Sequence, residues 1–188
     1  MEDQEKDIDA EEVVKHSLLE KAEISLVLDT YDDIFSDFDP RPFGQRALSD
    51  DFLIEAKKAA RDKDDDIELS FMIPKDKRRM DYELVIKKRL RDHFRKHSML
   101  VRNEISRIKK QGVVWAILGL LLLIFATMVT YYHNGSIIWD LLLISLEPAG
   151  WFLFWIGGEK LVYEVRDKYP ELEFYDKMTR CEISFHTY

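Results

Sequence analysis

The sequence predicts a membrane α-helical hairpin of two transmembrane helices attached to a small cytoplasmic α+β domain. Two apolar stretches, residues 113–132 and 137–158, are long enough for membrane spans, and the first contains no charged side chain. Segments at residues 67–74 and 181–188 alternate between apolar and polar side chains, which is typical of strands. With 188 residues, the chain has room for one modest domain beside the hairpin.

The hairpin is expected to occupy residues 112–158. A helix rises about 1.5 Å per residue, so a span of this length covers roughly the 30 Å hydrocarbon core of a bilayer. Only residues 133–136 separate the two spans, which makes them antiparallel. Basic residues precede the first span and follow the second, and the turn has none. The positive-inside rule therefore predicts a multi-pass protein of the cell membrane with both termini in the cytoplasm.

The net charge of −8 conceals a strong asymmetry along the chain. Residues 1–66 carry 21 acidic and 9 basic side chains, whereas residues 75–111 carry 14 basic and 5 acidic ones. Because the basic block directly precedes an apolar span, its expected partner is anionic lipid headgroups, and no nucleic acid is expected. The side chains predicted to contact headgroups are Arg102, Arg107, Lys109, Lys110 and Lys160.

Outside the hairpin, the chain begins with an acidic segment, residues 1–22, in which residues 8–22 are predicted to form a short amphipathic helix. Strand-forming residues follow at 24–31. Ser49 is placed to cap a helix that has two acidic residues in its first turn. This order of strand, helix and second strand favours a right-handed crossover between two parallel strands.

A roughly three-stranded sheet is expected, with its third strand supplied from beyond the hairpin. The alternation in residues 67–74 and again in residues 181–188 predicts a sheet with one buried face. The C-terminal strand then completes this sheet after the chain has returned from the membrane. The cytoplasmic domain therefore combines residues 23–111 with residues 159–188.

A long basic helix is predicted over residues 79–111 and can continue into the first span. Its apolar stripe recurs at spacings of three and four residues, close to a coiled-coil seam. The stripe consists of Ile86, Leu90, Phe94, His97, Val101, Ile105 and Ile108. Two interpretations remain open: the stripe packs on the sheet of its own chain, or it packs on neighbouring subunits.

An acidic cluster lies between the first strand and the first helix of the domain. Its members are Asp29, Asp32, Asp33, Asp37 and Asp39. Clustered carboxylates suit a hard divalent cation such as Ca²⁺ or Mg²⁺, which is the one cofactor that the sequence suggests. The spacing is not that of an EF-hand, and acidic turn residues are common. A structural loop is therefore favoured over a metal site.

The sequence does not predict an enzyme. It lacks a nucleophile elbow, a phosphate-binding loop and a cysteine-rich metal motif, and it contains one cysteine, Cys181. His93 and His97 are spaced by four residues, which can bind a metal, but no third ligand is evident. The bases around these two histidines favour a basic interface.

Acidic side chains within the second span are the best functional clue. Asp140 and Glu147 are seven residues apart and share one helix face. A charge near the middle of a bilayer costs about 2.5–3.5 kcal/mol on insertion scales, so such residues usually face protein or water. Pro148 leaves a carbonyl without its helical partner, and Gly150 permits close approach of another helix.

One copy of a two-span hairpin cannot enclose a pathway, so a functional Glu147 requires several copies. The leading hypothesis is a homo-oligomeric membrane protein that forms a cation-permeable or membrane-disturbing pore controlled by its cytoplasmic domain. The alternative is a non-conducting membrane anchor, adaptor or sensor subunit that assembles through its helices. In that case Glu147 hydrogen-bonds within a helix pair or stays protonated.

Overall fold

The computed structural model describes residues 24–61, 68–132 and 137–188. The helix predicted over residues 8–22 and the turn at residues 133–136 lie outside these ranges. The described chain is mostly helical and contains a small three-stranded parallel sheet. It divides into two compact units: residues up to Ser98 together with Glu173–Tyr188, and Met99–Leu172.

The first unit contains the sheet, with strand order β1-β2-β3 and both pairs parallel. The strands are β1 (Ile24–Val27), β2 (Glu68–Ile73) and β3 (Glu182–Thr187). Leu69 of the central strand lies opposite Ile24 on one side and Ile183 on the other. The predictions that the first two strands are parallel and that the C-terminal strand completes the sheet are confirmed.

The central strand β2 departs from the predicted sheet with one buried face. Ser70 and Met72, expected on the polar face, are as buried as Leu69 and Phe71. A central strand of a parallel sheet is normally covered on both faces, which makes alternation a poor guide there. The edge strand β3 does alternate, since Ile183 is buried and its neighbour Glu182 is exposed.

The first strand is shorter than predicted, and the chain turns before residue 31. After β1 ends at Val27, the segment Tyr31–Ile34 forms a short 3₁₀ helix. Thr30 and Asp33 form a capping box, in which the Asp33 carboxylate accepts hydrogen bonds from the backbone N–H groups of Asp29 and Thr30, at 2.7 and 2.9 Å. This local bonding competes with strand formation for the same backbone groups.

Helix α1 (Asp50–Ala60) begins after Ser49, as predicted, although the Ser49 side chain makes no capping hydrogen bond. The residues Phe52, Leu53, Ala56 and Ala60 recur at helical spacing and were expected to form its packing face; Phe52, Ala56 and Ala60 are buried, and Leu53 is partly buried against the same core. The Phe52 ring lies 5.9 Å from that of Phe71 in the central strand. Helix α1 therefore covers part of the sheet.

Helix α2 (Met80–Tyr132) is continuous, as expected for a long basic helix that runs into the first apolar span. In the first unit, Ile86, Leu90 and Phe94 are fully buried in the core that the strands and α1 share. Over this part of the helix, the structure supports packing on the chain's own sheet rather than on neighbouring subunits.

The second unit contains the C-terminal part of α2 and helix α3 (Ile137–Glu159). A π-helical turn, Lys160–Glu164, leads from α3 to helix α4 (Val165–Arg180), which returns to the first unit before β3. The sequence pattern did not predict a helix in this segment. Its apolar residues are sparse among charges, and Pro170 lies inside the helix.

Candidate functional site

The candidate site lies in the second unit, where α2 and α3 are both long and apolar enough to cross a bilayer. In their most apolar stretches, only 17% of the helix Met80–Tyr132 and 6% of the helical stretch Ile137–Arg180 are buried. A core helix of a soluble protein is mostly buried. These two helices instead present large apolar side chains outward, among them Leu121, Phe125, Ile144 and Trp155.

The face of α3 that packs on α2 is built around glycine. Gly150 is buried, and a Cβ atom added to it would lie 2.8 Å from Cγ of Leu123 and 3.2 Å from the carbonyl oxygen of Gly119. A Cβ atom at Gly119 would overlap the backbone nitrogen of Phe154. The two backbones therefore approach too closely for any larger residue. The close approach predicted for Gly150 is made within the same chain.

A second glycine pair repeats this contact along the hairpin. A Cβ atom at Gly157 would overlap the backbone nitrogen of Ala116 and lie 2.6 Å from the carbonyl oxygen of Gly112. On each helix the two glycines are seven residues apart, two helical turns. Small residues at such spacing let membrane helices pack closely, and this signal was available in the sequence.

The acidic side chains lie to one side of this glycine face. Glu147 is three residues from Gly150, about 60° around the helix axis, and it is exposed, as are Asp140 and Pro148. Within the described ranges, Glu147 forms no hydrogen bond or ion pair. The hairpin's own packing therefore leaves the Glu147 carboxylate uncovered near the middle of an apolar helix.

Three of the five aspartates of the predicted metal loop interact with residues of their own loop. Asp33 caps the 3₁₀ turn, and Asp32 pairs with Arg46. Asp39 accepts hydrogen bonds from the Arg41 guanidinium and the backbone N–H of Ala47, and both interactions hold its carboxyl pKa well below the usual range. The other two members, Asp29 and Asp37, are exposed. Among the described residues, no group of three or more His, Cys, Asp and Glu side chains is placed to hold a metal ion.

Two of the five bases assigned to lipid headgroups have partners in the second unit. Lys160 forms an ion pair with Glu164 at 2.8 Å, and the Nζ atom of Lys109 lies 3.4 Å from the hydroxyl of Tyr169. The side chains of Arg102, Arg107 and Lys110 are exposed on α2.

The two histidines of α2, which were predicted to lie at a basic interface, form part of an aromatic stack in the first unit. The ring of His97 lies 4.0 Å from that of His93 and 5.4 Å from that of Tyr175 on α4. The Nδ1 atom of His97 donates a hydrogen bond to the carbonyl oxygen of His93, at 2.9 Å. Burial lowers the pKa of His93 to about 4, and the positive charges of nearby Arg89 and Lys96 act in the same direction.

Ser98 donates a hydrogen bond to Asp176, which also ties α2 to α4 within the first unit. Sequence reasoning missed these contacts because it did not identify α4.

Comparisons with protein-family models, curated proteins and solved structures reveal no match to this chain.

Proposed function

We propose that the chain is a two-span membrane protein whose copies assemble around the acidic side of α3 to form a cation pathway, with both termini in the cytoplasm. Two properties of the apolar helices support membrane insertion: their length and the outward direction of their large apolar side chains. The bases that precede the first span and follow the second support the orientation.

The observation that carries the pathway is the exposed carboxylate of Glu147. A charge at mid-bilayer is costly unless protein or water covers it. The glycine face already binds α3 to α2, and that contact leaves Glu147 uncovered. A second copy is the simplest cover, because every copy presents the same acidic side. Several copies would then place a ring of carboxylates around a hydrated axis.

Such a ring would attract cations. Carboxylates held close together repel one another, and a permeating cation relieves that repulsion. Asp140 lies on the same side of α3, two helical turns from Glu147, and would form a second acidic ring nearer the outer water. The first unit would control the pathway by responding to a ligand or partner.

A non-conducting anchor or adaptor is the second candidate, and one observation favours it. Ile86, Leu90 and Phe94 are buried in the chain's own core. This stretch of α2 therefore has no exposed apolar stripe through which copies could form a helical bundle. Under this alternative, Glu147 is protonated or forms a hydrogen bond with a partner helix, and the protein conducts no ions.

The test is cation flux into liposomes that contain the purified full chain, compared with the variant Glu147→Gln. Glutamine keeps the shape and hydrogen-bonding capacity but removes the charge, so we expect assembly to persist and flux to fall by about tenfold or more. Glu159→Gln at the end of α3 is the matched control, and we expect it to conduct like the wild type. Absence of flux in the wild type, or equal flux in both variants, would contradict the pathway.

A further inference from the structure

A basic groove lies along α2 within the first unit, and none of the residues assigned to lipid headgroups lines it. It has a volume of about 510 Å³ and is lined by Lys87, Lys88, Arg91 and Arg95 from α2 and by Thr179 from α4. Asp92 is the only acidic side chain among the described residues of its lining. Four positive charges therefore converge on one open groove against a single negative charge.

Among the residues that the structure describes, no acidic side chain neutralises these four bases. Within the described residues, none of them forms an ion pair, whereas Arg78 pairs with Glu83 at 2.8 Å and Arg46 pairs with Asp32. Lys87 lies over the ring of Phe185, with its Nζ atom 5.7 Å from the centroid. That contact orients the lysine and leaves its charge unbalanced.

The arrangement is unfavourable without a ligand. Lys87, Arg91 and Arg95 follow one another at four-residue intervals, and like charges at this spacing on a helix repel. A ligand that carries negative charge would convert this repulsion into attraction. The groove therefore has the charge pattern of a binding site rather than of a surface optimised for stability.

We propose that this groove binds a ligand that carries two or more phosphate groups. Successive bases of the row are separated by about 6 Å along the helix, which suits neighbouring phosphates rather than one small anion. Arginine offers a planar fork of N–H donors that matches phosphate oxygens, and the lysines add mobile point charges. The phosphates belong either to a soluble molecule or to a lipid headgroup. The proposal does not depend on ion conduction.

The experiment uses the full chain in nanodiscs of phosphatidylcholine, titrated calorimetrically with tripolyphosphate at low salt. We expect saturable binding at one site per chain. Arg91→Gln should weaken binding by about tenfold or more, because a charge-assisted contact is lost. It should not lower the melting temperature, because it removes like-charge repulsion. Lys96→Gln is the matched control: it removes one charge from the same helix outside the groove and should change affinity by less than about twofold.

A second titration, in nanodiscs that also contain phosphatidylinositol 4-phosphate, distinguishes the two sources of phosphate. Weaker tripolyphosphate binding there would identify the lipid headgroup as the occupant, and unchanged binding would identify a soluble ligand. Either result supports the site. No binding of tripolyphosphate by the wild type, or an equal loss of affinity in Arg91→Gln and Lys96→Gln, would overturn it.

Discussion

His93 is a buried, neutral side chain in the strongly basic N-terminal half of α2. Its Nε2 atom has no hydrogen-bond partner among the described residues, and its pKa is lowered to about 4. Because the pKa is lower in the folded state than in the unfolded state, the unfolded chain binds more protons between pH 6.5 and pH 4. Stability is therefore lost as the pH falls through this window.

This linkage predicts a measurable difference between the wild type and His93→Phe. Phenylalanine keeps the stack on His97 but cannot take up a proton. We expect the wild type to lose up to about 3 kcal/mol more stability than the variant between pH 7 and pH 4. Denaturant unfolding of the full chain in detergent at several pH values measures this difference in stability. Parallel pH profiles for the two proteins would show that protonation of His93 does not contribute.

At the level of elements, the contact between α2 and α3 depends on backbone approach, and adjacent glycines allow a direct test. We expect Gly157→Ala to destabilise the hairpin, because the added Cβ meets the backbone of Gly112 and Ala116, which cannot move aside cheaply. Gly158→Ala meets nothing within 4 Å, and its higher helix propensity should leave stability unchanged or raise it by about 1 kcal/mol. Melting in detergent distinguishes the two, and equal effects would refute the packing.

The elements also show where sequence patterns succeed. Helix α1, the continuous helix α2 and strand β3 were predictable because each has a clear period and a recognisable start. The 3₁₀ turn was not predictable, because a capping box overrides the local pattern. The burial of both faces of β2 was not predictable either, because alternation does not show that a central strand of a parallel sheet is covered on both faces. Helix α4 was missed because its few buried side chains, including Phe174 and Met178, are scattered among charges.

The candidate site could be predicted only in part from the sequence. The acids of α3 were identified because charge is conspicuous in an apolar run. The sequence did not reveal that Gly150 packs within its own hairpin while Glu147 stays exposed, since that requires knowing which face meets α2. The basic groove was also hidden, because Thr179 joins the lysines and arginines of α2 only in the folded unit.

At the level of the whole molecule, the C-terminal strand links the end of the chain to a sheet that begins before the hairpin. Truncation after Arg180 removes Ile183 and Phe185 from the core, and buried side chains of this size contribute about 1.5–3 kcal/mol each. We expect the truncated chain to melt at a lower temperature or to fail to accumulate. Glu182→Ala, on the exposed side of the same strand, should be nearly neutral. Unchanged melting of the truncated chain would show that β3 is dispensable.

The central claim is that Glu147 faces the same residue of another copy, and oxidative cross-linking tests it most directly. The background is Cys181→Ser, which removes the only native thiol. Glu147→Cys should give covalent dimers in membranes after mild oxidation, because copies meet on this side of α3. Ala149→Cys lies about 200° around the helix, is also exposed, and should remain monomeric. Equal cross-linking at the two positions, or none at position 147, would contradict a shared axis lined by this carboxylate.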